Sequence, residues 1–171
     1  MIRRLLTLGL IGLTPLLATC QREDAEPLKI KAKTFVFNYR VSTAAYMLVL
    51  ARNAPLPEES YAETRYENPA GGEPITVRSR IFPFWEKVTL ESPAVHCIVK
   101  DRPYAIFVRI VDGQNKVLQT LETSIISNQD QTVLAAHPLV VGPVYAPNPD
   151  VFKPDGSVDF SPDRNCPSAG A

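Results

Sequence analysis

The sequence predicts an all-β protein built as a single β-sandwich, and three observations lead there. Residues 104–123, YAIFVRIVDGQNKVLQTLET, set two apolar-alternating runs on either side of Asp112-Gly113, which is a strong hairpin signal. Pro is twice as frequent as Gly, 16 residues against 8, and removes helix donors along the whole chain. Short alternating runs divided by turn residues recur, roughly eight of them, which favours a sandwich over a parallel α/β sheet. A lone hairpin is marginal in water, so these other strands are needed to cover its apolar face.

The hairpin carries the clearest pattern. On its first arm Tyr104, Ile106, Val108 and Ile110 share one face, while Ala105, Phe107, Arg109 and Val111 take the other. On the second arm Val117 and Leu121 share a face with Gln119 and Thr123, and Leu118 and Thr120 lie opposite. Gly113 is expected to accept the positive φ of the turn.

The chain has 171 residues, one domain's worth. Lys and Arg number 18 and Asp and Glu number 18, so no net field invites nucleic acid. No stretch beyond the N-terminus is apolar enough to cross a bilayer. With only His96 and His137 there is little material for His-based chemistry, although one His suffices for a catalytic site.

Residues 1–19 read as a secretory signal peptide: Arg3 and Arg4 precede an apolar run, residues 5–17. Its end, Leu17-Ala18-Thr19-Cys20, resembles the lipobox of bacterial lipoproteins, with Thr19 where that family usually carries Gly, Ala or Ser. The resemblance implies acylation of Cys20 by fatty acids such as palmitate, and Cys20 as the first residue of the mature chain. Gln21, in place of Asp, implies sorting to the outer membrane, facing the periplasm. Ordinary signal-peptidase cleavage is the alternative, with Leu16 or Leu17 standing where a small residue is wanted. Residues 20–27 are a polar, acidic tether.

The sandwich is expected over residues 28–141. From Leu28 one face carries Ile30, Ala32, Thr34, Val36 and Asn38, and the other Lys31, Lys33, Phe35, Phe37 and Tyr39. Residues 44–51, AAYMLVLA, are a continuous apolar run that suits a strand beside β-rich neighbours. Residues 58–67 alternate weakly through Tyr61, Glu63 and Arg65 and read as an edge strand protected by its charges. Asn68-Pro69-Ala70-Gly71-Gly72 is a turn. Ile75, Val77, Ser79 and Ile81 mark the next strand, and Val88 and Leu90 a short one. Residues 131–141 are expected to form the last core strand, with Pro138 at an edge or bulge. Residues 142–171 form a Pro-rich extension in which Pro154-Asp155-Gly156 signals a small hairpin.

With Cys20 lipidated, Cys97 and Cys166 remain, an even pair in an oxidising compartment. Their expected disulfide ties the extension to the core, a contribution of about 2–4 kcal/mol. Two unpaired thiols are the alternative.

Chemistry-bearing patterns are few. Asp155, Ser157, Asp159, Ser161 and Asp163 loosely echo a calcium loop but lack its central Gly and closing Glu, so a polar hairpin face is preferred and no metal site is assigned. His96 and Cys97, as strand neighbours, point to opposite faces and are not expected to share a metal. Phe82-Pro83-Phe84-Trp85 is either a core corner or an exposed stacking platform, and Phe82, Phe84 and Trp85 form the candidate binding patch. No G-x-S-x-G, P-loop, dinucleotide fingerprint or HExxH is present, so no catalytic residue and no cofactor are assigned.

Residues 102–141 resemble the small outer-membrane lipoproteins of the YbaY type, related to the pilotins of type III secretion. The matching pattern is a Tyr-led strand, Tyr104-Ala105-Ile106-Phe107-Val108-Arg109-Ile110, then a turn and a second strand ending in Thr, Val117-Leu118-Gln119-Thr120-Leu121-Glu122-Thr123. A later apolar strand, Leu139-Val140-Val141, completes it, and residues 75–81 align with the family's middle strand. The resemblance rests on strand pattern and implies a sandwich, immunoglobulin-like or transthyretin-like in kind, with a role in protein binding or assembly. Three functions are expected in order: a non-enzymatic envelope lipoprotein with a protein partner, from the anchor, the all-β pattern and the missing catalytic motifs; a glycan or small-molecule binding module, from Phe84, Trp85 and nearby Tyr residues; and an envelope hydrolase, from export and scattered Ser, Asp and His residues.

Overall fold

The computed structural model describes residues 26–164 and Cys166. The expected signal peptide and its lipidation site Cys20 lie outside the described residues. Among the described residues, seven strands form two facing antiparallel sheets. Strands β1 (Leu28–Asn38), β2 (Thr43–Arg52) and β5 (Lys87–Glu91) make one, in the order β1-β2-β5. Strands β3 (Ser60–Tyr66), β4 (Ile75–Ile81), β6 (Pro103–Asp112) and β7 (Val117–Ile126) make the other, in the order β4-β3-β6-β7. The protein is an all-β sandwich.

Period-2 alternation sends one side of each strand inward. On β2 these are Ala44, Tyr46, Leu48 and Leu50, and on β6 Tyr104, Ile106, Val108 and Ile110, all buried. The apolar run at residues 44–51 is thus a central strand whose outward residues Ala45, Met47 and Val49 are half-buried, which is why it shows no polar alternation. At one end of the core Phe35, Tyr46, Tyr66 and Tyr104 form an aromatic cluster, with the rings of Phe35 and Tyr46 4.5 Å apart and those of Tyr46 and Tyr66 5.1 Å apart. Two of its hydroxyls find main-chain partners: Tyr46 donates to the Glu67 carbonyl at 2.7 Å, and Tyr104 accepts from Val99 N at 2.7 Å.

Four expectations are corrected in detail. The alternation of β1 is interrupted between Ile30 and Ala32, where the pairing shifts from Ile30 opposite Leu50 to Ala32 opposite Val49. Lys31 is the extra residue, so Ile30 sits on the same face as Phe35 and Phe37. In the hairpin turn the positive φ falls on Asn115, at 62°, and not on Gly113. Asp112 organises that turn: its Oδ1 accepts from Gln114 N and Lys116 N, each at 2.9 Å. Gly113 serves a different need, since a Cβ there would lie 2.5 Å from Glu59 Oε2. Strand β3 is central and not an edge, because its outward Glu63 meets Arg78 and Arg109 on the two neighbouring strands at 3.4 Å each.

Residues 131–141 are not a core strand. Asp130 caps a single 3-10 turn, Gln131–Val133, by accepting from Thr132 N, and buried Gln131 donates its N–H to the Ile98 carbonyl at 2.8 Å. Val140–Val141 is extended and paired, as β8, with β9 (Ala146–Pro147), and Ala135 makes an isolated antiparallel bridge to Pro162. The last core strand is β7, which runs on to Ile126 and pairs Ile125 with Tyr104.

Candidate functional site

The aromatic segment at residues 82–85 joins β4 to β5. It is a tight turn in which Trp85 N donates to the Phe82 carbonyl at 3.1 Å. Arg52, at the end of β2, fixes that turn from below, donating through Nη2 to the Phe82 carbonyl at 3.0 Å and through Nη1 to the Pro83 carbonyl. The rings of Phe82 and Trp85 are 4.9 Å apart and those of Phe82 and Phe84 5.6 Å apart. Arg80 lies 5.0 Å from the centre of the Phe82 ring. Trp85 packs against the core and is half-buried, whereas Phe84 is 76% exposed. The segment is thus a core corner through Trp85 and an outward ring through Phe84.

A second surface was not singled out by the sequence. The chain after β7 folds back along the sandwich and is fastened at several points. Leu139 N donates to the Arg40 carbonyl at 2.9 Å, and Ser42 Oγ to the His137 carbonyl at 2.9 Å. Buried Asn148 donates through Nδ2 to the Pro138 carbonyl at 2.7 Å, while its Oδ1 accepts from Asp150 N. Leu134 and Val151 are buried as the apolar anchors of this segment. The small hairpin is present: Phe152 bridges Val158, Lys153 N donates to the Ser157 carbonyl, and Gly156 takes φ 85°.

Cys97 and Cys166 close a disulfide with Cα atoms 5.2 Å apart, binding the end of this segment to the loop between β5 and β6. Cys97 holds φ 68° there, a left-handed conformation that non-Gly residues rarely adopt, so the loop is not a strand. Fastened in this way, the segment still presents large apolar side chains to solvent: Val144 is 81% exposed, Tyr145 58% and Phe160 59%, and Phe152 and Val158 of the small hairpin are exposed as well. The Phe152 and Phe160 rings meet edge to face at 6.1 Å, and Arg40 lies over Tyr145 at 5.1 Å. The signal available in the sequence was apolar residues in a segment with no strand period, which local pattern assigns to no face.

The oxygens of the calcium-like run are engaged locally. Asp155 Oδ1 accepts from Ser157 N and Ser157 Oγ, and Asp159 Oδ1 accepts from Ser161 N. The side chains of Ser157 and Ser161 first, and then their backbone N–H groups, hold the carboxyls of Asp155 and Asp159 below the usual carboxylate range. Among the described residues no group of three His, Cys, Asp or Glu side chains is placed to hold a metal ion. His96 and His137 are both exposed. Among known proteins, no family model matches the chain, and no curated protein sequence matches it significantly.

Proposed function

We propose that this is a non-enzymatic cell-envelope lipoprotein, held in the outer membrane by acyl groups on Cys20, whose β-sandwich binds a protein partner in the periplasm or assists its assembly. The observation that carries the partner-binding reading is the ordered segment after β7, which keeps Val144, Tyr145, Phe152, Val158 and Phe160 in contact with solvent while the disulfide and the bonds of Leu139 to Arg40 and of Ser42 to His137 hold its backbone to the sandwich. Outward apolar side chains on a fixed backbone are what a partner buries at little ordering cost. The likeness of residues 102–141 to small outer-membrane lipoproteins and pilotins agrees with this reading, as does the lipobox ending in Cys20.

Two experiments test it. Cells grown with radioactive fatty acid should label the wild-type chain and not the Cys20→Ala variant; equal labelling of both removes the anchor. A photo-crosslinking residue placed at Tyr145 or Phe160 in intact cells should give a discrete protein adduct, and one placed at exposed Thr120 on β7 should not. Adducts with lipid alone, or no adduct at either tail position, overturn the partner.

A second reading, a glycan or small-molecule module, is favoured by one observation, the outward Phe84 ring above Trp85. Trp85 is the one Trp in the chain, so its fluorescence reports on that corner directly. Emission unchanged by a panel of envelope glycans, with Phe84→Ala without effect, removes this reading.

A further inference from the structure

We propose that the free edge of β4 takes up an extended, acidic segment of a protein partner as an added strand. The inference rests on the protein-binding reading above and names the chemistry of the partner. The two lateral sides of the sandwich are built differently. On one side the edges β1 and β7 are tied together by side chains: the Gln119 amide holds both main-chain groups of Leu28, and Lys33 Nζ donates to Thr123 Oγ1 at 2.7 Å. On the other side β4 pairs with β3 alone and forms the end of its sheet. A strand in that position offers unpaired N–H and C=O groups on alternate residues to any chain that can align with it.

The side chains of β4 say which chain that is. Ile75, Val77, Ser79 and Ile81 face the sandwich, while Thr76, Arg78 and Arg80 are exposed on the outer face. Arg65 of β3 and Arg109 of β6 continue that face, which thus carries four arginines against Glu63 and Glu122 in a chain of zero net charge. Glu63 is already shared between Arg78 and Arg109. Arg78 lies over Tyr61 at 4.5 Å and already holds Glu63 through Nη1 and Asn115 Oδ1 through Nη2 at 3.0 Å, so an incoming carboxylate would have to share it, whereas Arg80 lies over Phe82 at 5.0 Å, a ring that backs its guanidinium. An added strand has period two, so its every second side chain comes to the arginine face, and Asp or Glu at those positions would sit opposite Arg78 and Arg80. A second copy of this chain does not fit, because pairing two β4 edges sets arginines against arginines.

The test uses the purified exported protein and a labelled synthetic peptide of alternating Glu and Val as long as β4. Saturable binding is expected, with slowed amide hydrogen exchange across residues 75–81. The double variant Arg78→Glu, Arg80→Glu should bind the peptide more than ~10-fold more weakly, and Arg78→Gln, Arg80→Gln should fall between. Three results overturn the proposal: no saturable binding, binding without protection of β4, or equal binding of a peptide of the same composition with its Glu residues in one block. Tail variants Tyr145→Ser and Phe160→Ser should leave the peptide affinity unchanged. A peptide that fails while crosslinks still form at Tyr145 and Phe160 rejects this edge and leaves the broader reading intact.

Discussion

Gln119 of β7 holds the main chain of Leu28 in β1 by both ends of its amide: Leu28 N donates to Oε1 at 3.0 Å, and Nε2 donates to the Leu28 carbonyl at 2.8 Å. Both residues are buried, and the side chain supplies the donor and acceptor that a neighbouring strand would otherwise present. Lys33 with Thr123 and Tyr39 with Gln129 continue the same seam, so β1 and β7 run in the same direction while being joined through side chains.

Replacing Gln119 by Leu keeps the volume but leaves the N–H and C=O of Leu28 buried without partners. A loss of about 2–4 kcal/mol in unfolding free energy is expected, read from the urea midpoint at unchanged slope. Gln119→Glu keeps the acceptor and loses the donor, and it sets a carboxylate against the Leu28 carbonyl, so its stability should fall further as pH rises through the carboxylate range. A Leu variant within about 0.5 kcal/mol of wild type would show that the seam contributes nothing to stability.

Lys33 is exposed, and its bond to Thr123 spans the side of the sandwich where β1 and β7 are joined by side chains alone. Lys33→Met should therefore change monomer stability by less than about 0.5 kcal/mol while promoting self-association, since an inward charge on an edge strand blocks pairing with other chains. Light scattering at increasing protein concentration checks this; no change in association would mean that the charge has no guarding role.

The disulfide closes a span of 69 residues. Cys166→Ser, or reduction, should cost about 2–4 kcal/mol and release the tail before the sheets. Limited proteolysis should then cut first after residue 134, and alkylation of the unreduced exported protein should leave Cys97 and Cys166 unmodified in the mass spectrum. Early cleavage within β2 or β6 would contradict this order.

Alkaline pH should unfold the protein through its core tyrosines. Burial pushes Tyr66 up to about 12 from its usual value of 10.0, with the Thr64 hydroxyl opposing it and the Glu91 charge adding to it. Tyr46 is raised still further, by burial first and then by Glu67 and Tyr104. In both cases the folded state keeps a proton that the unfolded chain releases. Stability is then independent of these groups below pH 10.0 and falls as pH rises toward 12, by about 1.4 kcal/mol per pH unit for each tyrosine. Urea midpoints measured across that window check the slope, and Tyr66→Phe should make it shallower. A flat profile would mean that Tyr66 ionises within the folded core.

What the sequence determined by itself was whatever depends on neighbours in the chain. Period two placed Tyr104, Ile106, Val108 and Ile110 inward, and Asn68 to Gly72 and Pro154-Asp155-Gly156 turn where their φ preferences require. The pairing of Cys97 with Cys166 followed from a count of thiols in a chain whose N-terminus reads as an export signal. Tertiary structure decided everything that depends on which strand lies beside which. The charges of β3 suggested an edge, yet its partners Arg78 and Arg109 come from strands on both sides, and nothing local to residues 60–66 reports that. The slip at Lys31, the bond between Gln119 and Leu28 across 91 residues, and the outward set of Tyr145 and Phe160 share the same cause. Alternation tells a residue's side of its own strand, whereas a bulge, a seam or an exposed patch exists only once distant segments have packed and fixed what each side faces.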